Sequence, residues 1–194
     1  MVTNLARAWS QRFMQPLASL LARAGLTPNA ITVLGCLLTG GVAILLATGR
    51  LWLSGLLLIV TLGLDAVDGT LARLTGQVTR FGAFLDSTLD RWAEIFLYIA
   101  LGWHFLRLDQ DMGVMLTMAA MATSLLVSYT RARAEGAGFT CSEGLMTRLE
   151  RLVILILGLI VNQIIWALWI IAILSGFTAL QRIWVTWQTD RRTR

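Results

Sequence analysis

The stretch DAVDGTLAR at residues 65–73, followed by GAFLDSTLD at residues 82–90, brings four aspartates into a short part of the chain. They are Asp65, Asp68, Asp86 and Asp90. Five of the eleven acidic residues of the chain lie between Asp65 and Glu94, although 57% of its residues are hydrophobic and its mean hydropathy is +0.72. Carboxylates are costly next to hydrocarbon, so this cluster is a candidate for function.

The spacing of the four aspartates is that of a helix. Asp65 and Asp68 are three residues apart, and Asp86 and Asp90 are four apart. On helices each pair shares one face, with Cβ atoms roughly 5–6 Å apart. Two such helices facing each other would offer four carboxylates, which are the ligands that hard divalent cations prefer.

The residues around the aspartates favour a ligand that carries phosphate. Gly69 and Gly82 adjoin the two pairs and let a backbone or a bulky ligand come close. Arg73 lies on the same helical face as Asp65, and a guanidinium can bind a phosphate through two parallel hydrogen bonds. The alternative is that the aspartates only form structural ion pairs with Arg73, Arg80 and Arg91.

The pattern D-x2-D-G-x2-A-R-x8-G-x3-D-x3-D, from Asp65 to Asp90, resembles the signature of the CDP-alcohol phosphotransferase family, and every fixed position is met. The resemblance implies an all-α membrane protein with six transmembrane helices, usually a homodimer. It also implies transfer of a phosphatidyl-type group from a CDP-linked lipid to an alcohol, with release of CMP and with Mg²⁺ or Mn²⁺, two ions, as the cofactor.

The same resemblance assigns roles to individual residues. It makes Asp90 the general base as well as a metal ligand. The metal ligands are Asp65, Asp68, Asp86 and Asp90, and the residues expected to bind the CDP-lipid are Asn29, Thr32, Asp68, Gly69, Ala72, Arg73, Thr79 and Gly82.

Apolar runs of about 20 residues predict membrane-spanning helices. The predicted spans cover residues 30–49, 51–72, 82–106, 112–133, 143–161 and 164–186. The last two are separated at Asn162-Gln163, because one helix through both would be far longer than a bilayer is thick. All 194 residues are expected to form one domain.

The basic residues set the orientation. All sixteen are arginine, and six spans place fourteen of them on or near one side, with only Arg50 and Arg107 on the other. The positive-inside rule then puts both termini and the aspartates on the cytoplasmic side of the cell membrane. We expect these arginines to mark topology and to bind lipid or substrate, with no nucleic-acid partner.

The segment before the spans has a different pattern. Apolar residues recur every four positions across residues 3–24, with polar residues between them, which predicts an amphipathic helix in the membrane interface. Thr27 and Pro28 follow as the expected N-cap and first residue of the first span.

A second cluster consists of arginines at the predicted cytoplasmic ends of three helices: Arg131, Arg148, Arg151 and Arg182. Such residues are often only topology signals, but several guanidinium groups together suit an anionic acceptor such as a phosphorylated alcohol. The sequence SYTRARAE at residues 128–135, with ERL at residues 150–152, resembles the family branch that uses inositol phosphate in bacteria and archaea.

Two alternatives stay open. The acceptor could be glycerol 3-phosphate, with the same chemistry. The chain could instead be an ion or phosphate transporter, since acids in membranes also mark ion pathways. A transporter would favour acids near the bilayer midplane and an inverted repeat, whereas these acids lie near one face and no repeat is visible.

Overall fold

The computed structural model describes residues 15–141 and 144–193, and within them every regular element is a helix. The first helix, α1, is described over residues 15–23. The others are α2 (Pro28–Ala47), α3 (Leu51–Leu74), α4 (Arg80–Leu106), α5 (Asp111–Gly136), α6 (Arg148–Ile160) and α7 (Ile164–Thr193). The prediction of an all-α protein is confirmed.

The start of α2 agrees with the sequence. The Thr27 hydroxyl accepts a hydrogen bond from the backbone N–H of Ala30 at 3.3 Å. Pro28 is the first helical residue, a position where its missing N–H costs nothing.

The start of α6 corrects the predicted boundary at residue 143. The helix begins at Arg148 because Thr147 and Glu150 form a capping box, in which the backbone N–H of Thr147 donates to Glu150 Oε2 at 2.8 Å. Residues 142 and 143 lie outside the described residues.

The predicted break between the last two helices is confirmed. The chain leaves α6 after Ile160 and turns through Asn162, whose φ is +55°. A Cβ on Gly158 would lie 2.5 Å from the Cβ of Ala167. Because glycine has no such atom, α6 and α7 can pack closely beside the turn.

Four helices in the described part of the chain are long and apolar enough to cross a membrane: Pro28–Ala47, Leu51–Leu74, Asp111–Gly136 and Ile164–Arg191. The protein is therefore a membrane protein. Helix α4 is long but carries four charged residues between Asp86 and Glu94, and α6 has only 13 residues. The predicted count of six spans is not established by these lengths.

The chain forms two compact units. The first comprises Met1–Ile44, described from residue 15, and Leu57–Leu97. It contains a small buried cluster of Ala18, Ile31, Val67 and Leu71. Helix α1 therefore packs on the start of α2 and the end of α3. Of the predicted interfacial helix, residues 3–14 lie outside the described residues.

The second unit comprises Leu45–Leu56 and Tyr98–Arg194. Helix α7 packs along α5 and α6. A buried hydrogen bond of 2.9 Å joins the Tyr98 and Ser124 hydroxyls. Two arginines, Arg151 and Arg182, are also buried here, with 1% and 4% of their surface exposed.

Candidate active site

A cavity of about 290 Å³ opens in the first unit, where the start of α2, the end of α3 and the start of α4 meet. All eight residues expected to bind the CDP-lipid line it. The lining consists of Pro28, Asn29, Thr32, Asp68, Gly69, Ala72, Arg73, Gln77, Val78, Thr79, Gly82, Ala83 and Asp86. Sequence reasoning missed Pro28, Gln77, Val78 and Ala83, although their adjacency to the chosen residues could have indicated them.

Asp68 is a buried and hydrogen-bonded aspartate of the cluster. Only 6% of its surface is exposed. Its Oδ2 accepts a hydrogen bond of 2.8 Å from the Thr32 hydroxyl, and the negative charges of Asp86 and Asp65 act on it. A buried carboxylate beside two like charges needs donors or cations around it.

The other three aspartates have different surroundings. Asp86 lines the cavity with Asp68. Asp65 lies against α2, where a Cβ on Gly35 would be 3.3 Å from its Oδ1. Asp90 Oδ2 is 3.5 Å from Nη1 of Arg91, so the ion-pair alternative is realised at Asp90.

The aspartates fit a hard divalent cation by the chemistry of their donors. Among the described residues, no three His, Cys, Asp or Glu side chains are arranged as a ready ligand set. The group nevertheless consists of carboxylates alone, and oxygen ligands select Mg²⁺ and Mn²⁺ over softer metals. The carboxylates of Asp86 and Asp65 repel that of Asp68. A bound cation would neutralise their negative charge and remove this repulsion.

The guanidinium of Arg73 lies over Gly69. Its Nη2 donates to the Thr70 hydroxyl at 3.2 Å, and its Nη1 is 3.5 Å from where a Cβ of Gly69 would be. A Cβ at position 69 would only make van der Waals contact with the guanidinium, so Arg73 folds back along the cavity wall beside Gly69.

Gly82 permits a second close approach. A Cβ there would lie 3.0 Å from Thr79 Oγ1 and 3.1 Å from Asn29 Oδ1. Thr79 Oγ1 also accepts the backbone N–H of Gly82 at 2.9 Å, so Thr79 helps to cap α4. Glycine at position 82 therefore brings the start of α2 against the start of α4.

Three of the four predicted acceptor arginines come together in the second unit. The positive charges of Arg131 and Arg151 act on Arg182. Arg182 donates through Nη1 to the Val127 carbonyl, and Arg151 donates through Nη1 to the Met146 carbonyl at 3.5 Å.

The other two predicted acceptor arginines are less buried. Arg131 is exposed and forms an ion pair of 2.8 Å with Glu135. Arg148, the first residue of α6, is half-buried.

A loop segment that sequence reasoning missed lies against these arginines. A Cβ on Gly144 would be 3.1 Å from Nε and Nη2 of Arg182 and 2.8 Å from Thr178 Cγ2. The Thr178 hydroxyl accepts the backbone N–H of Met146 at 3.1 Å. The segment thus holds the side chain of Arg182 and the carbonyl that Arg151 uses.

A second cavity of about 550 Å³ lies between the ends of α5 and α7. Arg133 and Arg182 line it together with Tyr129 and Trp187. Arg182 therefore borders an open space although little of its surface is exposed.

Residues 25–187 match the CDP-alcohol phosphatidyltransferase family. The chain belongs to this family. The matched residues span both compact units and include every predicted site residue, and the recognition made from the aspartate signature is confirmed.

Relatives with assigned names cover most of the chain. An archaetidylinositol phosphate synthase of Pyrococcus horikoshii is 39% identical over 88% of this chain and 89% of its own length. A phosphatidylinositol phosphate synthase of Mycobacteroides abscessus is 36% identical, over 92% of this chain and 86% of its own.

The fold agrees with solved structures. Mycobacterium tuberculosis phosphatidylinositol phosphate synthase (PgsA1) with CDP-DAG bound has a TM-score of 0.85 and 33% identity, covering 91% of this chain and 94% of that chain. The same enzyme in complex with manganese and citrate also has a TM-score of 0.85, with 32% identity over 90% of this chain and 88% of that chain. This CDP-alcohol phosphatidyltransferase is therefore an enzyme of phospholipid synthesis. The alternative that the chain is a transporter is rejected.

Proposed function

We propose that the enzyme transfers a phosphatidyl-type group from a CDP-linked lipid, CDP-diacylglycerol or CDP-archaeol, to inositol phosphate, and releases CMP. The cavity that contains Asp68, Asp86 and Arg73 carries the proposal. The relatives named as phosphatidylinositol phosphate and archaetidylinositol phosphate synthases support it. So does PgsA1, which was solved with CDP-DAG and with manganese.

In this mechanism Asp65, Asp68, Asp86 and Asp90 would hold Mg²⁺ or Mn²⁺, two ions. When bound, such ions supply stabilisation of charge on the phosphate oxygens and on the leaving CMP. Arg73 binds the pyrophosphate, while Gly69 and the small Ala72 leave room for the cytidine.

Asp90 acts as the general base. The acceptor hydroxyl attacks the phosphorus next to the lipid, its proton passes to the Asp90 carboxylate, and the bond from that phosphorus to the CMP oxygen breaks. A positioned base contributes about 10²–10⁴-fold to the rate.

The acceptor phosphate binds to the arginine cluster of Arg131, Arg148, Arg151 and Arg182. The like charges of Arg131 and Arg151 act on the buried Arg182, and Glu135 offsets them only in part, so a repulsion remains that a bound anion would lower. A phosphate dianion relieves that repulsion, and the planar donors of arginine match its oxygens.

The same proposal includes the membrane arrangement. Helices α2 to α7 form six spans, α1 lies in the interface, and both termini and the site face the cytoplasm. The enzyme works as a homodimer in the cell membrane. The distribution of the sixteen arginines supports this orientation.

Glycerol 3-phosphate is the second candidate acceptor, because an arginine cluster recognises the phosphate and leaves the polyol undetermined. Purified enzyme is given a CDP-lipid with equal inositol phosphate, glycerol 3-phosphate, inositol and serine, and the lipid products are separated by mass spectrometry. We expect the inositol phosphate product to dominate. A dominant glycerol 3-phosphate product would change the acceptor, and products of free inositol or serine would contradict the phosphate site.

A further inference from the structure

Thr32 stands between the start of α2 and the aspartate cluster. Its hydroxyl oxygen lies 2.8 Å from Asp68 Oδ2 and 3.1 Å from the Pro28 carbonyl oxygen. Thr32 and Asp68 expose only 9% and 6% of their surfaces. This is a buried hydrogen bond to a carboxylate, and a hydrogen bond to an ionised acceptor is stronger than one between neutral groups.

The Thr32 hydroxyl has one hydrogen, and two protein acceptors compete for it. The Asp68 oxygen is the nearer and, when ionised, the stronger acceptor. The hydrogen is therefore committed to the protein, and the hydroxyl keeps only lone pairs toward the cavity. Phosphate oxygens are acceptors, so Thr32 has no hydrogen left to donate to a pyrophosphate.

Asp68 needs such a fixed donor. The charges of Asp86 and Asp65 act on it and would turn an unrestrained carboxylate away from them. The Thr32 hydrogen bond opposes this rotation together with a hydrogen bond from the backbone of Gly69. The bond is itself well placed, since Thr27 and Pro28 fix the first turn of α2.

We propose that Thr32 is a positioning residue, which holds the Asp68 carboxylate through Oδ2 so that the aspartate can serve as a cation ligand. This role rests on the proposed function, because it assumes that Asp68 binds the metal. It differs from direct contact with the CDP-lipid, the role that the family resemblance implies for Thr32.

Thr39 offers a matched control on the same helix. Its exposed fraction is 6%, and its hydroxyl donates to the Gly35 carbonyl at 2.9 Å, four residues earlier, as the Thr32 hydroxyl can toward Pro28. Replacing either threonine with valine keeps the shape and removes the hydroxyl. Only the change at Thr32 removes a donor from a carboxylate of the cluster.

The test uses full-length purified enzyme and measures Mn²⁺ affinity by electron paramagnetic resonance, alongside kcat and the CDP-lipid KM. Thr32→Val should weaken Mn²⁺ binding about 10–100-fold, as the loss of a partner behind a metal ligand does. Thr32→Ser should restore most of the affinity, and Thr39→Val should match the wild type. If the valine variant does not fold, Thr32→Ala repeats the comparison.

Unchanged Mn²⁺ affinity in the Thr32→Val variant would overturn the positioning role. If the CDP-lipid KM rose in that case, Thr32 would be a direct ligand of the nucleotide. If the wild-type enzyme bound no Mn²⁺, that result would contradict the metal site itself and the proposed mechanism with it.

Discussion

At the scale of single residues, Arg182 shows how a charged side chain can be almost fully buried and still line a cavity that a ligand could enter. Its guanidinium donates to a main-chain carbonyl of α5, and the like charges of Arg131 and Arg151 act on it, offset in part by Glu135. It also borders the cavity between the ends of α5 and α7. A buried cation beside like charges is costly, which is the condition that favours binding of an anion.

Arg182→Lys should raise the KM for inositol phosphate and leave the KM for the CDP-lipid unchanged. Lysine keeps the charge but loses the paired planar donors. The loss of one charged hydrogen bond costs about 1.5–3 kcal/mol, or roughly 10- to 150-fold. Steady-state kinetics with each substrate varied in turn checks this.

The control for that experiment is Arg107→Lys, because Arg107 is exposed and is predicted to lie on the opposite side of the membrane. It should behave as the wild type. A change in the CDP-lipid KM alone in the Arg182 variant would remove Arg182 from the acceptor site.

At the scale of elements, the segment Gly144–Met146 ties the start of α6 to α7. The Thr178 hydroxyl donates to the Leu174 carbonyl at 2.7 Å and accepts the Met146 N–H. Thr178 and Met146 are both buried. The segment therefore depends on a fixed backbone at Gly144, where φ is +149°.

Gly144→Ala should destabilise the protein more than Gly138→Ala does. Both glycines have a positive φ, but a Cβ at Gly138 would meet nothing within 4 Å, whereas at Gly144 it would crowd Thr178 and Arg182. Backbone strain costs on the order of 1–3 kcal/mol at either site, and at Gly144 the crowding adds to it. Thermal unfolding in detergent measures the difference, and equal shifts of the two midpoints would show that the segment is not held as described.

Sequence patterns predicted some elements well because one local rule dominated each of them. Thr27 and Pro28 marked the start of α2, and Asn162 marked the break before α7. The start of the fifth predicted span was wrong because a capping box at Thr147 outweighs the apolar pattern. The role of Gly144 could not be predicted, since it depends on contacts with residues more than thirty positions away.

At the scale of the whole molecule, the sequence predicted the class of site better than its details. Of the aspartates and glycines chosen by spacing, Asp68, Gly69, Gly82 and Asp86 line one cavity, whereas Asp65 and Asp90 are not among its lining residues. The contacts of Asp90 with Arg91 and of Thr32 with Asp68 depend on side-chain rotation and helix packing, which no spacing reports.

Single cysteines should establish the number of spans. In a variant without Cys36 and Cys141, cysteines at Gln77, Gly138 and Thr193 should react with an impermeant thiol reagent only from the cytoplasmic side, and one at Asp109 only from outside. The reason is the positive-inside distribution of arginine. Labelling of position 193 from outside would leave five spans and contradict the proposed topology.

The central claim is that the aspartate cluster catalyses transfer from a CDP-lipid, and CMP release tests it most directly. Enzyme in vesicles containing CDP-lipid should release CMP when Mg²⁺ and inositol phosphate are both present, and chelation of the metal should stop it. Asp90→Asn should lower the rate about 10²–10⁴-fold while the protein stays folded, and Asp109→Asn, in an exposed loop, should not. CMP release that continued after chelation, or an Asp90→Asn variant that kept more than about a tenth of the wild-type rate, would contradict the account.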